Sequence, residues 1–310
     1  MDGIISIYKE AGYTSSDVVA KLRGILRQKK IGHTGTLDPA AEGVLPVCLG
    51  KGTKLSAMLT DERKTYRAVL LLGVETDTQD TTGKVLFETD TKKLLREGTL
   101  TEEMLRKAAA EFTGDYLQVP PMYSALKVDG KKLVDLARKG IEVERKPRLR
   151  HIYRLTVEEV DLPRAVLTVE CSRGTYIRTL CHDIGRKLGC GGCMEKLLRT
   201  QVGPFKLEDS VRIGDVEKYR DSGRLEEILV PADRVLGDLP GFRSDSPELD
   251  RLLANGNPFP GEYMESSAAD MQAGRREISG VRVYDSAGRF IGVYRYEEGK
   301  NRWKAVRIFL

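Results

Sequence analysis

The run Gly32-His33-Thr34-Gly35-Thr36-Leu37-Asp38-Pro39 sets one carboxylate in a loop of turn formers and short polar side chains. Asp38 is the residue whose setting best suits acid, base or nucleophilic chemistry. Gly32 and Gly35 permit close backbone approach or positive φ, and Pro39 stiffens the chain and biases Asp38 toward an extended conformation. Just beyond, Val44-Leu45-Pro46-Val47-Cys48-Leu49 is short and apolar enough for a buried strand that anchors the loop from behind. An aspartate before proline is also ordinary turn chemistry, so the loop needs companions. In Lys64-Thr65-Tyr66-Arg67 a tyrosine opens an apolar strand, a place that equally suits an interfacial core aromatic. In Ser172-Arg173-Gly174-Thr175-Tyr176-Ile177-Arg178, Tyr176 and Arg178 share a face if the backbone is extended there. An arginine so placed can pair bidentately with a carboxylate and hold it ionised. Residues 119–132 form a proline-stiffened loop carrying Tyr123 and then Lys127 and further lysines, which suits stacking and phosphate contact or a purely structural loop.

The elements that must hold these residues alternate without a repeating period. Residues 15–29 predict an amphipathic helix with Ser15 or Ser16 as N-cap and Val18, Val19, Leu22, Ile25 and Leu26 on one stripe. Residues 66–73 read as a strand, and 101–112 as a helix with Met104, Leu105, Ala108, Ala109 and Phe112 inward. A third helix is expected over 131–139, stopped by Gly140, and a fourth over 177–188, followed by Gly189. Residues 153–160 and 165–171 alternate as strands across a turn at Pro163. Strands interleaved with unevenly spaced helices imply an α+β domain with a mixed or antiparallel sheet. Near Asp238-Leu239-Pro240-Gly241 the texture changes to a Ser, Pro, Asn and Gly-rich region, then to a hairpin over 280–296 and a last strand over 303–309. The boundary is placed at residue 243, giving units 1–243 and 244–310, the second a small β-barrel-like module too short to fold robustly without docking on the first.

With 51 Lys plus Arg against 46 Asp plus Glu, the formal charge of +5 decides little, but its distribution says more. Arg138, Lys139, Arg145, Lys146, Arg148, Arg150 and Arg154 crowd one segment, and Lys21, Arg23, Arg27, Lys29 and Lys30 precede the Asp38 loop. Both patches can neutralise phosphates or serve as solvated faces. No signal-peptide pattern and no apolar run of spanning length is present, and five cysteines do not suit a secreted disulfide framework. The expectation is a cytoplasmic protein with reduced thiols and no membrane association.

Together, Gly32 to Pro39 with Gly43 and Leu45-Pro46-Val47 resemble the catalytic motif of bacterial tRNA pseudouridine-55 synthases of the TruB family. Lys64-Thr65-Tyr66-Arg67, Thr76-Asp77-Thr78-Gln79-Asp80, Pro121-Met122-Tyr123-Ser124-Ala125-Leu126-Lys127 and Arg173-Gly174-Thr175-Tyr176-Ile177-Arg178-Thr179-Leu180 are similar to the same family in the same order. The resemblance covers residues 3–235, and the tail is similar, more weakly, to a PUA RNA-binding domain. It implies the pseudouridine synthase fold, a mixed, largely antiparallel central sheet with flanking helices. It also implies isomerisation of uridine 55 in the T-arm loop of tRNA, with the base flipped, N1–C1′ broken and C5–C1′ formed. No cofactor or metal, no obligate protein partner and a monomer are implied. Asp38 would be the essential carboxylate, acting by addition to base or sugar or by forming a glycal. Arg178 would pair with it, and Tyr66 would stack on the flipped base and assist loss of the C5 proton. His33 would support the extruded geometry, Tyr176 would line the pocket, and Lys9, Tyr123 and Lys127 would contact substrate. Lys9 lies in Tyr8-Lys9-Glu10-Ala11-Gly12, where Glu10 replaces a family proline, a difference that bears on the stiffness of this supporting loop.

Cys190-Gly191-Gly192-Cys193 with Cys181 and His182 suggests zinc by spacing, but Cys181 takes an apolar helical position and Cys190 follows a helix stop. The 77–83 segment lacks the glycine position and terminal glutamate of a calcium loop. The chief rival is an RNA-binding or tRNA-folding protein without chemistry. Asp38, Tyr66 and Arg178 together oppose it, because a pure binder has no use for a buried anion beside an electropositive RNA surface.

Overall fold

The computed structural model describes residues 1–264 and 280–310. Its centre is a sheet that runs Gly3–Lys9, Glu42–Leu49, Gly192–Val202, Lys64–Leu72, Arg164–Cys171, Arg148–Asp161 and Gly114–Gln118 in spatial order. Ile31–His33 pairs with Glu42–Leu49, and Phe205–Lys206 with Gly192–Val202, at its margins. Every pairing in this sheet is antiparallel except that of Gly192–Val202 with Glu42–Leu49, so the expected mixed, largely antiparallel α+β arrangement is observed.

The apolar run beyond Asp38 is continuous because its strand is covered on both faces. Leu45, Val47 and Leu49 pack with Val18, Val19 and Leu22 of the helix Ser15–Leu26, while Val44 and Cys48 pack with Leu55, Leu59 and Phe205 on the other side. Lys64–Leu72 instead alternates: Tyr66, Ala68, Leu70 and Leu72 point into the core shared with the helix Ile177–Lys187, and Arg67 points out to Glu158 and Glu159.

Several local expectations are corrected. The first helix is capped by Thr14 in a capping box with Asp17 and ends at Leu26, with Arg27 left-handed at φ 48°. Ser15 does not cap it because its hydroxyl accepts from the backbone N–H of Leu37 at 2.9 Å. In the helix Glu102–Ala110 the buried stripe is Leu105, Ala108 and Ala109, and Met104 is exposed, not inward. The 131–139 helix is replaced by a hairpin, Lys127–Val128 with Lys131–Lys132, and a five-residue helix Leu133–Ala137. Asp129-Gly130, both at positive φ, is a two-residue hairpin turn and takes the lysines out of the helix.

A second sheet runs Gly241–Arg243, Val281–Tyr284, Phe290–Glu297, Arg302–Ile308 and Phe259–Pro260. Its core of Phe259, Tyr294, Trp303, Leu249 and Val283 is its own. Val293 and Phe309 meanwhile reach Ile4, Val44, Leu55 and Leu59 of the first unit. Lys54 Nζ donates to the Ile308 carbonyl at 2.6 Å, and Arg307 donates back to the Lys54 carbonyl. Residues 265–279 of the anticipated tail module lie outside the described residues.

Candidate active site

The Asp38 loop connects Ile31–His33 to Glu42–Leu49, two strands that pair with each other, so its ends are fixed by one ladder. Between them the chain carries few backbone bonds of its own and is held by side chains from outside. Lys9 Nζ, on the next strand, donates to the carbonyls of Ala41 at 2.6 Å, Glu10 at 3.0 Å and Pro39 at 3.2 Å. Lys9 is 0% exposed and burial lowers its pKa. Its three donors all go to backbone, so Lys9 holds the loop instead of reaching toward a substrate. Glu10, at the family's proline position, ion-pairs with Arg212, and Gly12 N–H donates to the Pro39 carbonyl at 2.9 Å. Stiffness at this corner comes from those contacts.

On the loop's other side lies Arg199, which sequence reasoning missed. Its Nε donates to the Val44 carbonyl at 2.7 Å, Nη2 to Gly35 at 3.3 Å and Nη1 to Thr36 at 3.5 Å. It is 1% exposed and stands opposite Tyr66 in the ladder. An arginine at an inward register position was the available signal, but bulges at Met194/Lys196 and Arg199/Gln201 break the period of two.

Asp38 and Arg178 meet across this setting. Arg178 Nη2 lies 3.1 Å and 3.2 Å from the two Asp38 oxygens, so a single nitrogen straddles the carboxylate where a two-nitrogen fork was expected. The same nitrogen donates to the Tyr123 carbonyl at 2.8 Å, and Nη1 stands 3.8 Å from Asp80. The Arg178 side chain is 8% exposed and that of Asp38 38%, so the pair presents the carboxylate outward and keeps the cation beneath it. Arg178 lies in the first turn of Ile177–Lys187, just past Tyr176, which is extended at φ −95° and ψ 109°. Because Ile177 between them is already helical, the shared face expected of an extended stretch is not formed. Buried Gln118 clamps that residue, accepting from Tyr176 N–H at 2.8 Å and donating to its carbonyl at 2.9 Å.

Tyr66 is nearly buried, and burial raises its hydroxyl pKa while the Arg199 guanidinium beside it pulls the other way. Asp38 is close enough to Tyr66 for its charge to act there as well. Beneath Gly35, which needs glycine for its φ of 138°, the buried Lys64 ammonium donates to the carbonyls of Glu62 at 2.7 Å and Thr60 at 2.9 Å. Burial, reinforced by Arg199, brings its pKa down to about 8. His33 is half-buried and accepts from Gly35 N–H through Nδ1 at 3.3 Å, and burial, then Arg199, lowers its pKa. Tyr123 contributes its carbonyl to Arg178 and its hydroxyl to Asp77 at 3.4 Å. Lys127 is exposed on the short hairpin, and among the described residues no contact joins its ammonium to the Asp38 pair. Asp77 and Asp80 are spent on Lys84 N–H, Thr78, Thr82 and Arg178.

Cys181, Cys190 and Cys193 are buried free thiols, with burial pushing Cys193 up to about 11. Among the described residues no three His, Cys, Asp or Glu side chains gather as a metal site. No helix among them is long and apolar enough to cross a membrane.

Residues 23–177 match the TruB family pseudouridylate synthase N-terminal domain, and residues 178–237 the tRNA pseudouridylate synthase B C-terminal domain. The chain belongs to the TruB family. The tRNA pseudouridine synthase B of Lachnoclostridium phytofermentans is 46% identical over 318 residues, covering all of both chains. That of Geotalea uraniireducens is 50% identical over 242 residues, covering 78% of this chain and 76% of its own. In a solved H/ACA ribonucleoprotein bound to a substrate RNA containing 2′-deoxyuridine, one chain superposes with a TM-score of 0.69 at 22% identity, covering 99% of this chain and 85% of that one. The architecture is thus the pseudouridine synthase fold, and this TruB-family enzyme is an isomerase with Asp38, Tyr66 and Arg178 gathered at one place.

Proposed function

We propose that this enzyme isomerises the uridine at position 55 in the T-arm loop of tRNA to pseudouridine, with Asp38 as the catalytic carboxylate. The observation that carries the assignment is the pairing of a half-exposed Asp38 with a buried Arg178. An anion displayed in this way costs affinity for RNA unless it takes part in the reaction. In the reaction N1–C1′ breaks, the detached uracil turns, C5–C1′ forms, the C5 proton leaves and N1 takes up a proton, so the product has the composition of its precursor. Arg178 holds the carboxylate toward the flipped nucleoside, Tyr66 forms the floor on which the base stacks, and Tyr176 lines the side. His33 and Tyr123 support the loops that frame the extruded nucleotide, while Lys127 and the basic segment around Arg148 and Arg150 meet phosphates.

The two units are read as catalytic domain and PUA-like RNA-binding module, supported by the separate core of the second sheet, with the boundary drawn before Gly241 instead of at 243 because Gly241–Arg243 is a strand of that sheet. A reducing, cytoplasmic setting fits five cysteines that are all buried free thiols. Incubation with an unmodified tRNA transcript and chemical mapping of pseudouridine tests the assignment. Modification at the single T-loop uridine is expected. Pseudouridine elsewhere in the tRNA would overturn the position, and none at all would overturn the activity.

A further inference from the structure

Among the described residues Arg199 is a cation with no carboxylate in ion-pair contact, although it is among the largest fully buried side chains of the molecule. Burying a charge without a counter-ion is expensive, and here only backbone carbonyls and one phenol meet it. The carbonyls belong to Gly35 and Thr36, on the N-terminal side of Asp38, and to Val44, on the strand that follows the loop. The phenol is that of Tyr66, its cross-strand partner. The backbone of Arg199 is equally constrained, since it also pairs with Gly43, where a Cβ would stand 2.2 Å from the Arg199 carbonyl oxygen.

We infer that Arg199 is a positioning residue for the isomerisation: one buried guanidinium ties the loop that carries Asp38 to the strand that carries Tyr66 and sets the distance between carboxylate and phenol. A lysine there has one point charge on a flexible stem and cannot reach three carbonyls and a hydroxyl together, whereas the planar fork can. The titratable or charged groups facing the Tyr66 hydroxyl are Arg199, Cys171 from the strand on its other side, and Asp38. Removal of the guanidinium takes away the one influence among these that opposes the effect of burial on the phenol.

The inference rests on the isomerisation reading, and its test separates the two. Single-turnover pseudouridine formation on unmodified tRNA is measured for wild type, Arg199→Lys, Arg199→Gln, Tyr66→Phe and the Arg199→Lys/Tyr66→Phe double variant, with tRNA affinity and urea unfolding followed in parallel. Arg199→Lys is expected to lower the rate about tenfold or more, with tRNA Kd within about threefold and cooperative unfolding retained. In the Tyr66→Phe background the same change is expected to cost less than about threefold, because the two residues act as one unit. With Tyr66 assisting loss of the C5 proton, the rising limb of the pH–rate profile should move to higher pH in Arg199→Gln, because the guanidinium no longer opposes the effect of burial on the phenol. Rates that multiply independently, a wild-type rate and pH profile in Arg199→Lys, or a rate loss that merely tracks the unfolded fraction would each overturn the role of Arg199. If wild type itself forms no pseudouridine, it is the isomerisation reading that fails.

Discussion

Four cations sit at or behind the Asp38 loop, and they differ in what they do. Arg178 touches the carboxylate, while Lys9 and Arg199 spend their donors on backbone carbonyls of the loop or of its flanks. Lys64, a fourth, lies beneath Gly35 and bears the clearest titration consequence. Its pKa is about 8 in the folded protein against 10.5 for the free side chain. Between those values the unfolded chain binds the extra proton, so folding stability rises with pH across the window and the penalty of burying the charge is fully present below about 8. Urea unfolding from pH 7.5 to 10.5 should therefore show wild type gaining on the order of 3 kcal/mol relative to Lys64→Met. Parallel stability curves for the two proteins would refute the shift. Asp38, Tyr66 and Arg178 were legible in the sequence because each stands in a short segment whose residue types restrict it. Lys9 was named as a substrate contact, but its bonds to the loop carbonyls were not readable, and Arg199 was missed altogether, because the carbonyls of Pro39, Gly35 and Val44 lie 30 or more residues away along the chain and only the sheet brings them together.

At the scale of elements, the site is built where three strands converge. Glu42–Leu49 lies between Gly3–Lys9 and Gly192–Val202, and Gly43 pairs with Lys9 on one side and Arg199 on the other. Its φ of 109° and the Arg199 carbonyl 2.2 Å from a Cβ leave no room for a side chain. Gly43→Ala is expected to cost about 2 kcal/mol or more of stability and to reduce activity by shifting Arg199 and Lys9 relative to the loop, as read by urea unfolding and single-turnover rate. An alanine variant with the wild-type urea midpoint would contradict this. Elements with clean periodicity were readable: the strand of Tyr66, the helix behind Arg178 and the C-terminal hairpin all lie where the pattern puts them. Misreadings have local causes. Ser15 is drawn away from the cap by Leu37, Asp129-Gly130 turns a lysine-rich stretch into a hairpin, and bulges disguise the strand that carries Arg199.

For the whole molecule, the second sheet is docked through the same apolar cluster that backs the strand following the Asp38 loop. Phe309 and Val293 pack with Val44, Ile4 and Leu59, so the C-terminal unit supports the site from the side opposite helix Ser15–Leu26. Phe309→Ala should destabilise the protein by about 3 kcal/mol in urea unfolding. A loss under about 1 kcal/mol would mean that the docking face carries little of the stability. The central proposal is that the Asp38 carboxylate, held by Arg178, meets a flipped uridine of tRNA. Its most direct test compares wild type with Asp38→Asn on one unmodified tRNA, measuring both Kd and pseudouridine formed in a single turnover. The asparagine variant is expected to bind the tRNA within about threefold of wild type and to form no detectable pseudouridine. Conversion at the wild-type rate by that variant would contradict it.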